Sequence, residues 1–235
     1  MRHDAIVLDE QFNKALRLIK DENIRKFTYY ALTEYAPLSF WEIPAAFAAN
    51  CHNESEKAIG EVQNNTVIKI GGKAWHTLRV VNNTFAILDA DDEIIWDFMR
   101  KNPKGEFKGC SLPNIYVDVA ISAALLHDIY SLCEGLDWKE RKHRGMDKEH
   151  PYYHRTDLKP LADKYLPSDL WEFLLIVIES HMWKWSPHPE RIPRLDNILN
   201  MPSVDSAYDF IKMYNVIKAV QLADLLAAQK DFTGF

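Results

Sequence analysis

Of the 235 residues, 28 are Lys or Arg and 34 are Asp or Glu, a formal net charge of −6 with histidine neutral. With 47% hydrophobic and 26% charged residues but only 8 Gly and 11 Pro, the composition excludes disordered, collagen-like and low-complexity classes. The acidic balance also argues against a long nonspecific nucleic-acid track, which needs many Lys and Arg to release counterions. A compact chain of this length hides roughly 70% of its unfolded surface, enough for a core of its own. Cys51, Cys110 and Cys133 stand far apart with no C-x-x-C pair, so neither a disulfide framework nor a zinc knuckle is expected.

The apolar stretch Ala5-Ile6-Val7-Leu8 before Asp9 and Glu10 is too short for the core of a secretory leader, and a cytoplasmic protein is expected. Over 10–35, Phe12, Leu16, Ile19, Ile24, Phe27 and Ala31 recur on one side, predicting one amphipathic helix that Pro37 ends. Phe40, Trp41, Ile43, Ala45, Ala46 and Phe47 predict a second, very apolar helical segment. Between Glu61 and Ile70 an Asn-Asn pair stands among β-branched residues and Gly71-Gly72 follows, the one convincing strand signal and the mark of a small hairpin.

From Lys73 to about Arg100, Trp75, Leu78, Val81, Phe85 and Leu88 form one stripe while Val80, Ile87 and His76 lie opposite, predicting a central helix. A polar loop spans 101–109, and Pro113 then opens a segment, Val117 to Cys133, that is apolar nearly all round and is expected to be the deepest helix. The stretch 137–154, dense in charge and histidine, predicts a long loop. Pro167-Ser168-Asp169 starts a helix, with an oxygen side chain available for capping, whose apolar stripe ends at His181; after Pro187, Pro189 and Pro193 a last helix spans 205–230. No apolar run approaches the ~20 residues that cross a bilayer, so no membrane is expected. The expected architecture is all-α, with a helical extension over 1–60 packed on a core over 61–235 and one small β-hairpin.

Polar residues interrupt the most apolar segments: His127-Asp128 follows Ala123-Ala-Leu-Leu126, His181 follows Leu174-Leu-Ile-Val-Ile178, and Asp224 lies within 223–228. A buried carboxylate without a partner is strongly unfavourable, so Asp128 and Asp224 need a cation, whether a side chain or a metal. Helix neighbours point about 100° apart, so His127 and Asp128 can meet one ion at roughly perpendicular positions, with His76 and Asp224 closing the site from separate helices.

The order of these segments resembles the HD-domain metal-dependent phosphohydrolases, whose pattern is His, then His-Asp, then optional further histidines, then Asp. The resemblance covers roughly residues 71–230 and rests on Gly71-Gly-Lys-Ala-Trp-His76-Thr-Leu-Arg-Val80, Ala124-Leu-Leu-His127-Asp128-Ile129 and Gln221-Leu-Ala-Asp224-Leu-Leu-Ala227. The first of these is similar to the HD domains of certain bacterial 3′-to-5′ exoribonucleases. The resemblance implies an HD-domain helical bundle in which His76, His127, Asp128 and Asp224 hold one divalent ion. His154 and His181 would add a second, with Asp128 as the bridge and His150 competing for the place of His154. It implies one or two ions (Mn, Fe, Co, Ni, Zn or Mg), catalytic roles for His127, Asp128 and His181, and attack of metal-activated water on a phosphomonoester or phosphodiester.

Where many members continue H-D-I-G-K, this chain reads His127-Asp-Ile-Tyr130-Ser131, so the lysine that assists substrate phosphate is missing. Lys73, Arg79, Lys184 and the basic run at 139–144 are the candidate replacements, and Trp183 either stacks a nucleobase or packs in the core. The expected partner is a small phosphorylated substrate of nucleotide type, or a short single-stranded nucleic-acid end; a homo-oligomer is compatible. The alternatives are a 3′-to-5′ exonuclease and a noncatalytic metal- or nucleotide-binding sensor.

Overall fold

The computed structural model describes residues 5–45, 57–89, 114–131, 149–183, 186–194 and 204–229. In place of the single helix expected over 10–35 there are two, α1 (Glu10–Leu16) and α2 (Glu22–Tyr30). Each begins on an aspartate: Asp9 accepts the Gln11 amide, and Asp21 accepts those of Asn23 and Ile24. The break between them is stabilised from a distance. Asp118 accepts the backbone N–H of Lys20 at 2.9 Å and of Asp21 at 2.7 Å, amides that a continuous helix would bond to its own carbonyls. A π-helical turn, Ala31–Tyr35, follows, and then the short α3 (Leu38–Glu42). The second segment thus ends earlier than its apolar residues suggest, because Ile43 precedes Pro44 and is extended, the conformation proline imposes on its predecessor.

The hairpin forms as expected, with β1 (Glu61–Gln63) antiparallel to β2 (Thr66–Lys69) and Val62 opposite Val67. Asn64 and Asn65 both take left-handed backbone, φ 48° and 58°, the geometry of a two-residue turn that matches strand twist. Just beyond it, Gly71 passes close behind α3: a Cβ there would lie 2.6 Å from the Trp41 carbonyl oxygen and 2.8 Å from the Gly60 nitrogen. The Gly71 amide donates to Trp41 at 3.2 Å, Gly72 to Ala58 at 2.7 Å and Lys73 to Ile43 at 3.0 Å. These bonds satisfy amides that the start of a helix leaves without an internal partner, and so anchor α4 (Gly72–Asp89).

The bundle is built around α4, α5 (Asn114–Leu126) and α9 (Val204–Ala228), with α8 (Ser168–Ser180) against α5 and the short α6 (His150–Asp157) and α7 (Lys159–Tyr165) beside them. Every residue of α5 from Asp118 to Leu126 is buried, the environment its all-round apolar character predicts. One continuous core runs from Ile6 through Phe12, Phe27 and Trp41 to Ala227. Leu78, Val80 and Val81 of α4 are buried in it, whereas Phe85 is 38% exposed.

The described residues depart from expectation at three more places. The helix α5 stops at Leu126, so His127 and Asp128 lie in the turn that follows. Residues 150–154, expected as loop, are the first turns of α6, with Pro151 in the first turn where its missing N–H costs nothing. The start of α8 at Ser168 carries no side-chain cap. The expectations for 46–47, 90–109, Pro113, Cys51, Cys110, Cys133 and the basic run at 139–144 fall outside the described residues. No described helix is long and apolar enough to cross a membrane.

Gly71→Ala is expected to cost about 1–3 kcal/mol in urea unfolding, the range for forcing atoms into filled space. An unchanged midpoint would mean that the Trp41 carbonyl can retreat.

Candidate metal centre

Four of the histidines and two aspartates meet where the start of α4, the ends of α5 and α8, the start of α6 and the last turns of α9 converge. His127 continues the register of α5, its amide donating to Ala123 at 2.8 Å, and its ring Nδ1–H donates to the Ala124 carbonyl at 2.8 Å. His181 closes α8 in the same way, Nδ1–H to the Ile178 carbonyl at 2.7 Å. The Ile178 carbonyl also accepts the His181 amide at 3.2 Å, so each helix end orients its own imidazole through a carbonyl of its last turn. A donating Nδ1 leaves the Nε2 lone pair of each ring available and directed inward.

Asp128, only 5% exposed, stands between two groups. Its Oδ2 accepts Lys73 Nζ at 2.8 Å and lies 3.6 Å from His127 Nε2. Its Oδ1 is 2.9 Å from His150 Nε2 and 3.7 Å from His181 Nε2. Across the site, His76 Nε2 is 2.9 Å from Asp224 Oδ1, which lies 3.8 Å from His127 Nε2. Asn83 donates to the Ala223 carbonyl at 3.2 Å and Gln221 to the Ser180 carbonyl at 2.6 Å, tying α9 to α4 and to the end of α8.

The electrostatics keep the carboxylates charged and the imidazoles of His127 and His181 neutral. Burial alone would raise Asp128, but the Lys73 ammonium, with His127 and His150, holds it well below the usual carboxylate range. Burial would raise Asp224 too, yet the His76 hydrogen bond and the neighbouring His127 take it down to about 2. Burial lowers His127 against the pull of both carboxylates, and burial with the neighbouring His127 and His150 takes His181 down to about 3.

Two trios, His76-His127-Asp128 and Asp128-His150-His181, each have ligand atoms within 4.8 Å of one another, so these buried groups could hold a metal ion. The fit is tested by His127 Nε2, which is buried without a hydrogen-bond partner among the described residues and faces two carboxylates. Donors about 2.1 Å from a common ion lie roughly 3.0–3.4 Å apart, close to the spacings found here.

Of the residues expected at the site, His76, His127, Asp128, His181, Asp224 and Lys73 are brought together. His154 is not. Its Nε2–H donates to the Leu126 carbonyl at 2.7 Å, its Nδ1 is 3.1 Å from the Pro151 carbonyl, and its ring packs edge-on against Tyr130. The place expected for it is taken by His150, one helical turn earlier. The signal was the four-residue spacing of His150, His154, Leu158 and Ala162, all buried, which marks a helix once histidine is counted among the buried positions. Arg79 lies one turn beyond His76 on α4, half-buried, and Trp183, 48% exposed, sits two residues past His181 with Lys218 Nζ 4.8 Å from its ring. Lys184 lies outside the described residues. Compared with known proteins, the chain matches no family model, no curated protein and no solved structure.

His154→Ala is expected to destabilise the protein by about 2–4 kcal/mol, through the cavity it opens and the loss of one of the two bonds to the Leu126 carbonyl, which keeps only the Ile129 amide, while the metal content per chain is unchanged. His150→Ala is expected to lower metal content and, because the ring is fully buried against Asp128, to lower the melt as well; elemental analysis separates the two.

Acidification gives a further check. Burial lowers His154 from 6.5 to about 4, so between these values the unfolded chain binds the proton and the folded one does not. Stability is therefore full above about pH 6.5 and falls toward pH 4, by up to about 3 kcal/mol for His154 alone, with protonation of carboxylates in the unfolded chain adding to the loss below about pH 5. Denaturant titrations of chelator-treated protein at pH 7.5 and 4.5 measure it; equal stabilities would contradict a neutral buried His154.

Proposed function

We propose that this chain is a metal-dependent phosphohydrolase of the HD type, cleaving a phosphomonoester or phosphodiester bond of a nucleotide-type substrate. The observation that carries this reading is Asp128 standing between two histidine groups, one oxygen toward each, the position of a carboxylate shared by two ions. His76, His127, Asp128 and Asp224 would hold one divalent ion, and Asp128, His150 and His181 a second. Mixed imidazole and carboxylate donors suit Mn, Fe, Co, Ni or Zn better than Mg. When bound, such ions lower the pKa of water and polarise a phosphoryl oxygen.

The chain's own residues supply orientation and charge. The Ala124 and Ile178 carbonyls hold the His127 and His181 rings with Nε2 inward. Lys73 is the buried ammonium nearest to Asp128, and it supports the view that a cation from α4 stands in for the lysine missing after the His-Asp pair. The apolar walls of α5 keep water from the far side of the site. Trp183 offers a half-exposed aromatic face for a base, with Lys218 beside it. That same face favours the second reading, a 3′-to-5′ exonuclease on single-stranded nucleic acid.

Protein loaded with Mn²⁺ is expected to release phosphate or a shortened product from a panel of nucleotides, cyclic nucleotides and oligonucleotides. Asp128→Ala is expected to lower the rate more than about a hundredfold, beyond the loss typical of residues that only support a ligand, with the circular-dichroism spectrum retained. No product from metal-loaded protein overturns the reading, and stepwise 3′ shortening of an oligonucleotide favours the exonuclease.

A further inference from the structure

We propose that Lys73 is a built-in competitor for one of the two ion positions: its ammonium neutralises Asp128 in the metal-free protein and must leave Asp128 Oδ2 before a divalent cation can bind there. The inference rests on the reading of the site as a metal centre and adds how that centre loads.

Lysine is almost never buried unless paired, and here the side chains of Lys73 and Asp128 are 5% and 7% exposed, with Nζ 2.8 Å from Oδ2. The pairing is one-sided. Oδ2 is the oxygen nearest His127, at 3.6 Å, whereas Oδ1 faces His150 at 2.9 Å and His181 at 3.7 Å. The ammonium therefore sits on the side of Asp128 that faces His127 and not on the side that faces His150 and His181. A divalent ion entering the first trio would meet a positive charge within a few ångströms in a site with little water to screen it, and the two cations repel.

The lysine can yield without disturbing the helix. Its backbone is fixed by the Lys73 amide bond to the Ile43 carbonyl at 3.0 Å, while its four-carbon stem is flexible, so displacement is confined to the side chain. Once displaced, the ammonium remains on the rim of the same site, available to an anionic substrate oxygen only after the ion has arrived. The same charge thus supports the metal-free fold and weakens first-site binding.

Titration calorimetry of Mn²⁺ into chelator-treated full-length protein tests this with no activity readout. Wild type is expected to bind two ions unequally. In Lys73→Met and Lys73→Gln the weaker ion is expected to tighten by at least about tenfold, with the other changed by less than about threefold, because the displaced charge is gone. The metal-free variants are expected to melt lower than wild type, with a larger rise in Tm on adding Mn²⁺. Unchanged or weaker Mn²⁺ affinity in both variants overturns the proposal while leaving the metal centre standing; absence of Mn²⁺ binding to wild type overturns the centre and the proposal together. Should the variants not fold, the ¹⁵Nζ resonance of Lys73 in wild type decides: slow proton exchange without metal, lost on saturation with Zn²⁺, is expected, and its persistence in the Zn²⁺-saturated protein overturns the proposal.

Discussion

Asp128 carries its negative charge at the foot of the most apolar of the described helices, where neighbours rather than water must compensate it. Taking a carboxylate out of water costs several kcal/mol, and the cost is recovered only when cationic or hydrogen-bonding groups arrive with good geometry. Here they arrive from separate elements: Lys73 from the first turn of α4 and His150 from the first turn of α6. The close passage of Gly71 behind Trp41, the proline in the first turn of α6 and the exact end of α5 are therefore parts of a single requirement.

The delivery relies on helix ends. At the end of α5 the Ala124 carbonyl orients His127 and the Leu126 carbonyl receives His154; at the end of α8 the Ile178 carbonyl orients His181 and the Ser180 carbonyl receives Gln221. Carbonyls that would be a liability in a buried setting become the fixtures that set tautomer and direction. Both helices also end with their partial negative charge toward the same small volume, which favours a cation there independently of the side chains. His154 belongs to this scaffold: it seals a buried carbonyl and so supports the turn that presents His127 and Asp128.

The surroundings are graded from closed to open. His127, His150 and His154 are fully buried, the Asp224 side chain is 25% exposed, and Trp183 is 48% exposed. Solvent therefore approaches from the side of α9 and the turn after α8, while α5 closes the back. The neutral His127 and His181 and the ionised Asp128 and Asp224 lie on this gradient as groups that could hold an ion.

The residues by themselves determined the all-α class, the hairpin at Asn64-Asn65 and the identity of the polar intruders His76, His127, Asp128, His181 and Asp224, because periodicity, turn chemistry and the cost of buried charge act over a few neighbouring positions. Only the tertiary structure decided that Asp118 splits the first helix from 97 positions away, that α5 stops at Leu126, that His150 rather than His154 faces Asp128, and that Lys73 is its counter-ion. His150 and His154 share one helix and one spacing, so nothing local distinguishes them. The choice lies with the remote groups they meet, a carboxylate for one and a backbone carbonyl for the other, and those meetings exist only once distant segments have packed.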